Sequence, residues 1–238
     1  GVKFIEKEGP VFTNPIESTS DINNLIPFDP ENLSYVYKAV SNIRNALPED
    51  IPLIGFSGSP WTLAAYSIEG KSSKDFRKTL DFVKANQDET HFLLSRLTDA
   101  CFLYLRRQVQ SGANVIQIFD SWANILNTKE FEEYSINYTK SLINALKNDQ
   151  VTSEIPIILF SRDPKCNTDT LINTSADCIS LYWGMDNFDI NLANGKVAIQ
   201  GNLNPKILLE SKDIIRKETH KLLDNFRGFP GYIFNLGH

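Results

Sequence analysis

Six short runs of apolar and β-branched residues recur along the chain, at residues 51–56, 114–119, 155–160, 178–181, 196–200 and 232–236. Most of these runs are continuously apolar and do not alternate with polar residues. Such a pattern indicates strands that are buried on both faces, as in a parallel sheet. We therefore predict six strands of one parallel sheet.

Segments with helical periodicity separate the predicted strands. Asp29-Pro30 supplies an N-cap and a first-turn proline for a helix over residues 33–47, and Pro48 ends it. Ser111-Gly112 closes a longer helix over residues 88–112, as a C-cap signature does. Further helices are predicted over 73–83, 128–148 and 204–226. The repeated β-α order leaves two common solutions, an open doubly wound sheet or a closed (β/α)8 barrel.

Polar and aromatic residues follow each predicted strand directly: SGSPW, DSW, SRD, YW, GNLN and GH. Residues from many strand ends converge in this way at the mouth of a barrel, where they share one site. We therefore favour an α/β fold of the (β/α)8 TIM-barrel type, of which about six β-α strands are present. The whole chain, residues 1–238, is expected to form one such domain, incomplete at both ends.

Composition and charge indicate which classes of binding partner the chain is not suited to. The chain of 238 residues has a net charge of −5 and no long run of basic residues, which argues against nucleic acid and membrane surfaces as partners. It has no stretch of about 20 apolar residues that could span a membrane and no signal-peptide pattern. Three cysteines without a CxxC pair, Cys101, Cys166 and Cys178, are expected to be free thiols in a reducing cytoplasm.

Four separated motifs carry a resemblance to a known family: GFSGSPWTLAAYSIEGKSSKDF, QIFDSW, VAIQGNLNP and YIFNLGH. Together and in this order they resemble uroporphyrinogen decarboxylases, over nearly the whole length. The resemblance implies a (β/α)8 barrel whose first two strands would precede residue 1 and whose closing helix would follow His238. The arginine-rich loop and the aspartate of those two strands would then be absent, so we expect the 238-residue piece alone to be inactive.

The family resemblance implies a carboxy-lyase that acts without cofactor or metal. It would decarboxylate the four acetate side chains of uroporphyrinogen III to give coproporphyrinogen III in haem biosynthesis. The implied partner is this small tetrapyrrole, and the full-length protein would be a cytoplasmic homodimer.

The resemblance also suggests site residues, position by position. Tyr66 and His238 fall at catalytic and substrate-binding positions, and Ser121 falls at a hydroxyl that contacts a carboxylate. Phe56 and Phe119 would form apolar walls. Asp120 is expected beside them in the substrate site, with a helix cap as the alternative. Gly58, Gly201 and Gly237 are most simply interpreted as turn glycines.

The chain departs from the family pattern in two places. It has LFSRD where the family typically has LF(S/T)KG, so Arg162 would keep the positive charge of a lysine. It has SLYW where the family typically has GLDW, so Tyr182 replaces an aspartate. Two other functions stay open: a non-catalytic interaction module, and a zinc-dependent corrinoid or thiol methyltransferase of the same superfamily, for which cysteine and histidine ligands are scarce.

Overall fold

The computed structural model describes residues 2–5, 9–162, 168–185 and 188–238. Within them, an antiparallel pair precedes six parallel strands that are hydrogen-bonded in chain order. The strands are β1 (Val2–Ile5), β2 (Gly9–Phe12), β3 (Ile54–Gly58), β4 (Val115–Asp120), β5 (Ile157–Ser161), β6 (Cys178–Ser180), β7 (Ala198–Gln200) and β8 (Tyr232–Ile233). β3 and β8 lie at the two ends of the parallel sheet.

Helices of very different length connect the strands. They are α1 (Thr19–Asn23), α2 (Ser34–Ala46), α3 (Pro60–Glu69), α4 (Arg77–Ala85), α5 (Gln87–Gln110), α6 (Thr128–Glu130), α7 (Asn137–Asn148), α8 (Thr168–Ile172), α9 (Ile190–Ala193) and α10 (Lys212–Asn225). Three 3-10 segments (Pro30–Leu33, Ala123–Ile125, Pro205–Leu209) and one π-helical segment (Phe131–Ile136) complete the set. No helix in the described ranges combines the length and the apolar character that crossing a bilayer requires.

The six predicted strands are all present, with ends shifted by a few residues. The N-terminal hairpin and α3 were not predicted. α3 buries residues on most sides, so it lacks the one-sided apolar stripe by which an amphipathic helix is detected. Its start is nevertheless well defined, because the Ser59 side chain accepts a hydrogen bond from Thr62 N and Pro60 occupies the first turn.

Two predicted helices are interrupted in the structure. The stretch 128–148 contains the π-helical segment between α6 and α7. The stretch 204–226 divides into a 3-10 segment and α10, because Glu210 is extended and the Ser211 side chain caps a new helix by accepting from Ile214 N. A π-helical segment in one case and a side-chain cap in the other thus interrupt stretches that the apolar periodicity alone predicts as continuous helices.

The parallel strands present two different faces. Ile116, Ile118, Ile157 and Leu159 are buried in the main core together with residues of α3, α5 and α7. Alternate residues of the same strands occupy the opposite face, the inner face of a barrel. Residues that pair in register on neighbouring strands lie on the same face of the sheet. Phe119 pairs with Phe160 in this way, and Ser180 pairs with Gln200. A consecutive parallel sheet with this division is the (β/α)8 TIM-barrel type of architecture that the sequence predicts.

Candidate active site at the strand ends

A row of rings crosses the inner face of the sheet near the carboxyl ends of its strands. The rings of Phe56 and Phe119 meet edge to face at 6.0 Å, and Phe119 lies 6.0 Å from Phe160. The imidazole of His238 stacks on Phe160 at 4.9 Å, with 7° between the ring planes. We call these four residues the aromatic wall. Phe56 lies at the β3 end of the wall and is 59% exposed in this chain.

The backbone before His238 is tied to two neighbouring loops. Trp183 N donates to Gly237 O at 3.1 Å, and Gly237 N donates to Leu203 O at 2.8 Å. A Cβ on Gly237 would lie 2.4 Å from Trp183 N, closer than any side chain tolerates. Gly237 is therefore needed for this close approach, and its interpretation as a turn glycine is wrong. The glycine lets the chain pass beside Trp183 and bring His238 over Phe160.

The environment of His238 favours the neutral imidazole. Partial burial lowers the pKa of His238 below its ordinary value of 6.5, and the positive charge of Arg162 lowers it further. A neutral imidazole has one N–H donor and one acceptor nitrogen, so it can donate to a carboxylate or take up a proton.

A second group of aromatic side chains surrounds Arg162 at the end of β5. The guanidinium carbon lies 5.8 Å from the ring centroid of Trp122 and 5.4 Å from that of Tyr182. The ring of Trp122 in turn contacts Tyr66 edge to face at 5.8 Å. We call Tyr66, Trp122, Arg162 and Tyr182 the rim. Tyr66 lies on α3 and was predicted as a site residue from its sequence motif. The ring contacts of the rim connect it to residues at the ends of β4, β5 and β6.

Ser121 lies in the turn that directly follows β4, between the wall residue Phe119 and the rim residue Trp122. Its side chain is half-buried. The structure thus places Tyr66, Ser121, His238, Phe56 and Phe119 at the same end of the sheet.

Asp120 requires a correction, because it faces away from the aromatic wall. Strand alternation turns its carboxylate toward the helices, where it is 1% exposed. Its oxygens accept hydrogen bonds from the hydroxyls of Ser59 at 2.8 Å, Thr62 at 3.4 Å and Ser135 at 2.5 Å. The geometry gives Asp120 neither the expected place in the substrate site nor the alternative role as a helix cap. Instead it joins β4 to α3 and to the π-helical segment beneath the barrel mouth.

Sequence reasoning missed part of both groups. Phe160, Trp122 and Tyr182 were not proposed as site residues, although each lies at or directly after a predicted strand, which is the signal that could have found them. Of the departures from the family pattern, Ser161, Arg162 and Tyr182 are described, whereas Asp163 lies outside the described residues, as does Cys166. Cys101 and Cys178 are buried free thiols.

Residue types that bind metal ions do not cluster within the described ranges. In these ranges, no three His, Cys, Asp or Glu side chains lie together as metal ligands would. His91, the histidine of α5, contacts Tyr138 at 2.8 Å and Glu133 at 3.3 Å on the helical layer, away from the strand ends.

The fold and the strand-end site define an enzyme class, a (β/α)-barrel enzyme whose chemistry is performed at the barrel mouth. The sequence model of the family described as uroporphyrinogen decarboxylase (URO-D) matches residues 1–238. The chain belongs to this family of carboxy-lyases, which confirms the resemblance carried by its four motifs.

Curated relatives agree with this assignment. The chain is 40% identical over 240 residues to the uroporphyrinogen decarboxylase of Legionella pneumophila (strain Paris), covering 100% of this chain and 68% of the relative. It is 40% identical over 239 residues to that of Hydrogenovibrio crunogenus, with the same coverage. It is 43% identical over 239 residues to that of Wigglesworthia glossinidia brevipalpis, covering 100% of this chain and 66% of the relative.

A solved structure shares the fold. The B12-independent methionine synthase from Shewanella sp. W3-18-1, determined with selenomethionine, superposes with a TM-score of 0.55 at 13% sequence identity. The match covers 84% of this chain and 59% of that chain. At this identity the likeness shows the barrel architecture only.

Proposed function

We propose that the protein decarboxylates the four acetate side chains of uroporphyrinogen III and releases coproporphyrinogen III, without a metal or an organic cofactor. The observation that carries the proposal is the aromatic wall, a row of rings that ends in His238 at the mouth of a barrel of this family. A row of aromatic rings beside polar strand-end groups suits a tetrapyrrole, whose macrocycle is largely hydrocarbon and whose periphery carries carboxylates.

In this reaction the substrate itself supplies the electron sink, and the protein needs no further reactive group for it. Protonation of the electron-rich pyrrole next to an acetate makes the ring an electron sink, which accepts the electron pair left when the C–C bond to CO2 breaks. A proton then adds to the methylene carbon in place of CO2, and the extra proton on the ring leaves, which restores the pyrrole. The protein has to position the ring, deliver and remove protons, and match the charges that develop.

Residues of the wall and the rim, together with Ser121, would perform different parts of this work. Phe56 and Phe119 would pack against the macrocycle as apolar walls. Tyr66 and Ser121 would donate hydroxyl hydrogen bonds to carboxylate side chains at its edge. His238, neutral at pH 7 in the free protein, would donate to a carboxylate or relay a proton, and a bound carboxylate would raise its pKa.

The test compares variants of the protein at its natural length under anaerobic conditions, with uroporphyrinogen III as substrate. His238→Ala and Tyr66→Phe should each lower the rate of coproporphyrinogen III formation by about 10-fold or more while unfolding at nearly the same temperature as the wild type. His220→Ala, on the outer helix α10, is the matched control and should retain the full rate. Absence of coproporphyrinogen III with the wild-type protein would refute the proposed activity, and unchanged rates in both variants would remove these two side chains from the site.

We further propose that the chain acts as one domain of a cytoplasmic homodimer. The two buried free thiols support a reducing compartment. Analytical ultracentrifugation of the natural-length protein tests the assembly: a mass of two chains is expected, and a concentration-independent monomer would contradict it.

A further inference from the structure

Arg162 is the charged residue of the rim, and the proposed function gives it no role. Its guanidinium lies against two rings that come from the ends of neighbouring strands, Trp122 after β4 and Tyr182 after β6. Contacts on two rings fix the direction of a long, flexible side chain and leave the in-plane N–H donors at the guanidinium edge. The two rings therefore orient the Arg162 side chain in the free protein.

Within the described ranges, no carboxylate forms an ion pair with Arg162. The ion pairs found there involve other arginines and lysines, and none of them includes Arg162. By contrast, Arg106 and Arg107 pair with Asp149 and Glu31 on the helical layer. In the described part of the chain, this cation is held by rings and not by a carboxylate, so its charge is available for an anionic ligand.

The loops on either side place this cation at the barrel mouth. The Asn202 side-chain amide donates to the Tyr182 carbonyl at 3.2 Å, and Trp183 N donates to Gly237 O at 3.1 Å. The loop after β6 is thereby joined to the loops that follow β7 and β8, and the last of these carries His238. Arg162 is close enough to His238 for its charge to act on the imidazole.

We propose that Arg162 anchors a carboxylate side chain of the tetrapyrrole that is not undergoing decarboxylation, in the first instance a propionate. This inference rests on the proposed function of the strand-end site. An arginine that pairs with a carboxylate stabilises the carboxylate and so opposes its loss as CO2. A fixed guanidinium is thus better suited to a retained side chain than to a reacting one, and the propionates are retained in the product.

The experiment measures anaerobic binding of coproporphyrinogen III, which carries these propionates and has no acetate left to react. The natural-length wild type is compared with two neutral variants, Arg162→Gln and Arg162→Met, of which the second keeps the long stem on the two rings. Arg162→Lys keeps the charge. Arg216→Gln, on the exposed side of α10, removes the same charge from a remote position and is the matched control.

Both neutral variants should weaken binding by roughly 10- to 100-fold and lower its dependence on salt, as expected when one charge-assisted contact is lost. Arg162→Lys should recover part of the affinity, and Arg216→Gln should bind like the wild type. In the free protein, the pKa of His238, followed by NMR, should rise in Arg162→Gln because a nearby positive charge is removed.

Two failures are distinguishable. If the wild type binds coproporphyrinogen III and the neutral variants bind equally well, the role of Arg162 is overturned and the proposed function stands. If the wild type binds no tetrapyrrole, the proposed function itself fails, and the assignment of Arg162 fails with it.

Discussion

Replacing Ser135 with alanine tests whether the buried carboxylate of Asp120 holds the barrel mouth together. Ser135 lies in the π-helical segment between α6 and α7 and donates to Asp120 at the end of β4. Ser135 is 0% and Asp120 is 1% exposed, so water cannot replace the lost hydroxyl without rearrangement. π-Helical turns inside longer helices often mark such functional contacts.

The magnitude follows from the contact that is lost. A hydrogen bond to a charged group contributes about 1.5–3 kcal/mol. Ser135→Ala should therefore lower the free energy of unfolding by about 1.5–3 kcal/mol. For a chain of this size that corresponds to a fall in Tm of about 3–12 °C.

Urea denaturation followed by circular dichroism measures this loss. Ser141→Ala, an exposed position on α7, is the control and should change the free energy of unfolding by no more than about 0.5 kcal/mol. Combining Ser135→Ala with Asp120→Asn should give less than the sum of the two single losses, because the two changes remove the same bond. A Ser135→Ala loss no larger than that of the control would refute the structural role assigned to Asp120.

Three further outcomes follow from the packing. Gly237→Ala should speed the amide hydrogen exchange of Trp183, because an added Cβ would clash with Trp183 N and break its hydrogen bond to Gly237 O. Unchanged exchange would show that the loop accommodates the Cβ and keeps this hydrogen bond. Burial raises the pKa of both Cys101 and Cys178 to about 12, so site-resolved mass spectrometry should find both thiols unlabelled by iodoacetamide at pH 8 in the folded protein and labelled in urea. Trp61→Phe removes an indole N–H that donates at 3.0 Å to a backbone carbonyl of the turn after β4, and should cost about 1–2 kcal/mol by urea denaturation; a smaller loss would mean that the ring alone stabilises α3.

The sequence was most informative about the strands and about which end of them carries the site. The continuous apolar runs that became β4 and β5 need no tertiary information, because a strand covered on both faces has no polar positions to spare. The residues just beyond them, Ser121 and Arg162, lie at the carboxyl ends of these strands as the barrel pattern predicts.

Side-chain directions and long-range contacts could not be predicted from the sequence. Phe119 and Asp120 are adjacent in one motif, yet strand alternation sends them to opposite faces of the sheet. The role of Gly237 depends on Trp183, which lies more than fifty residues away in the chain, and no local rule for turns contains that contact. The rings around Arg162 likewise meet only when three strand ends are brought side by side.

A crystal structure of the natural-length protein with coproporphyrinogen III, grown without oxygen, would show whether the tetrapyrrole binds at the strand ends. We expect the macrocycle on the aromatic wall, in contact with Phe56 and Phe119, with one propionate on Arg162 and others within hydrogen-bond distance of Tyr66, Ser121 or His238. A tetrapyrrole bound elsewhere, with the wall and the strand ends empty, would contradict the account.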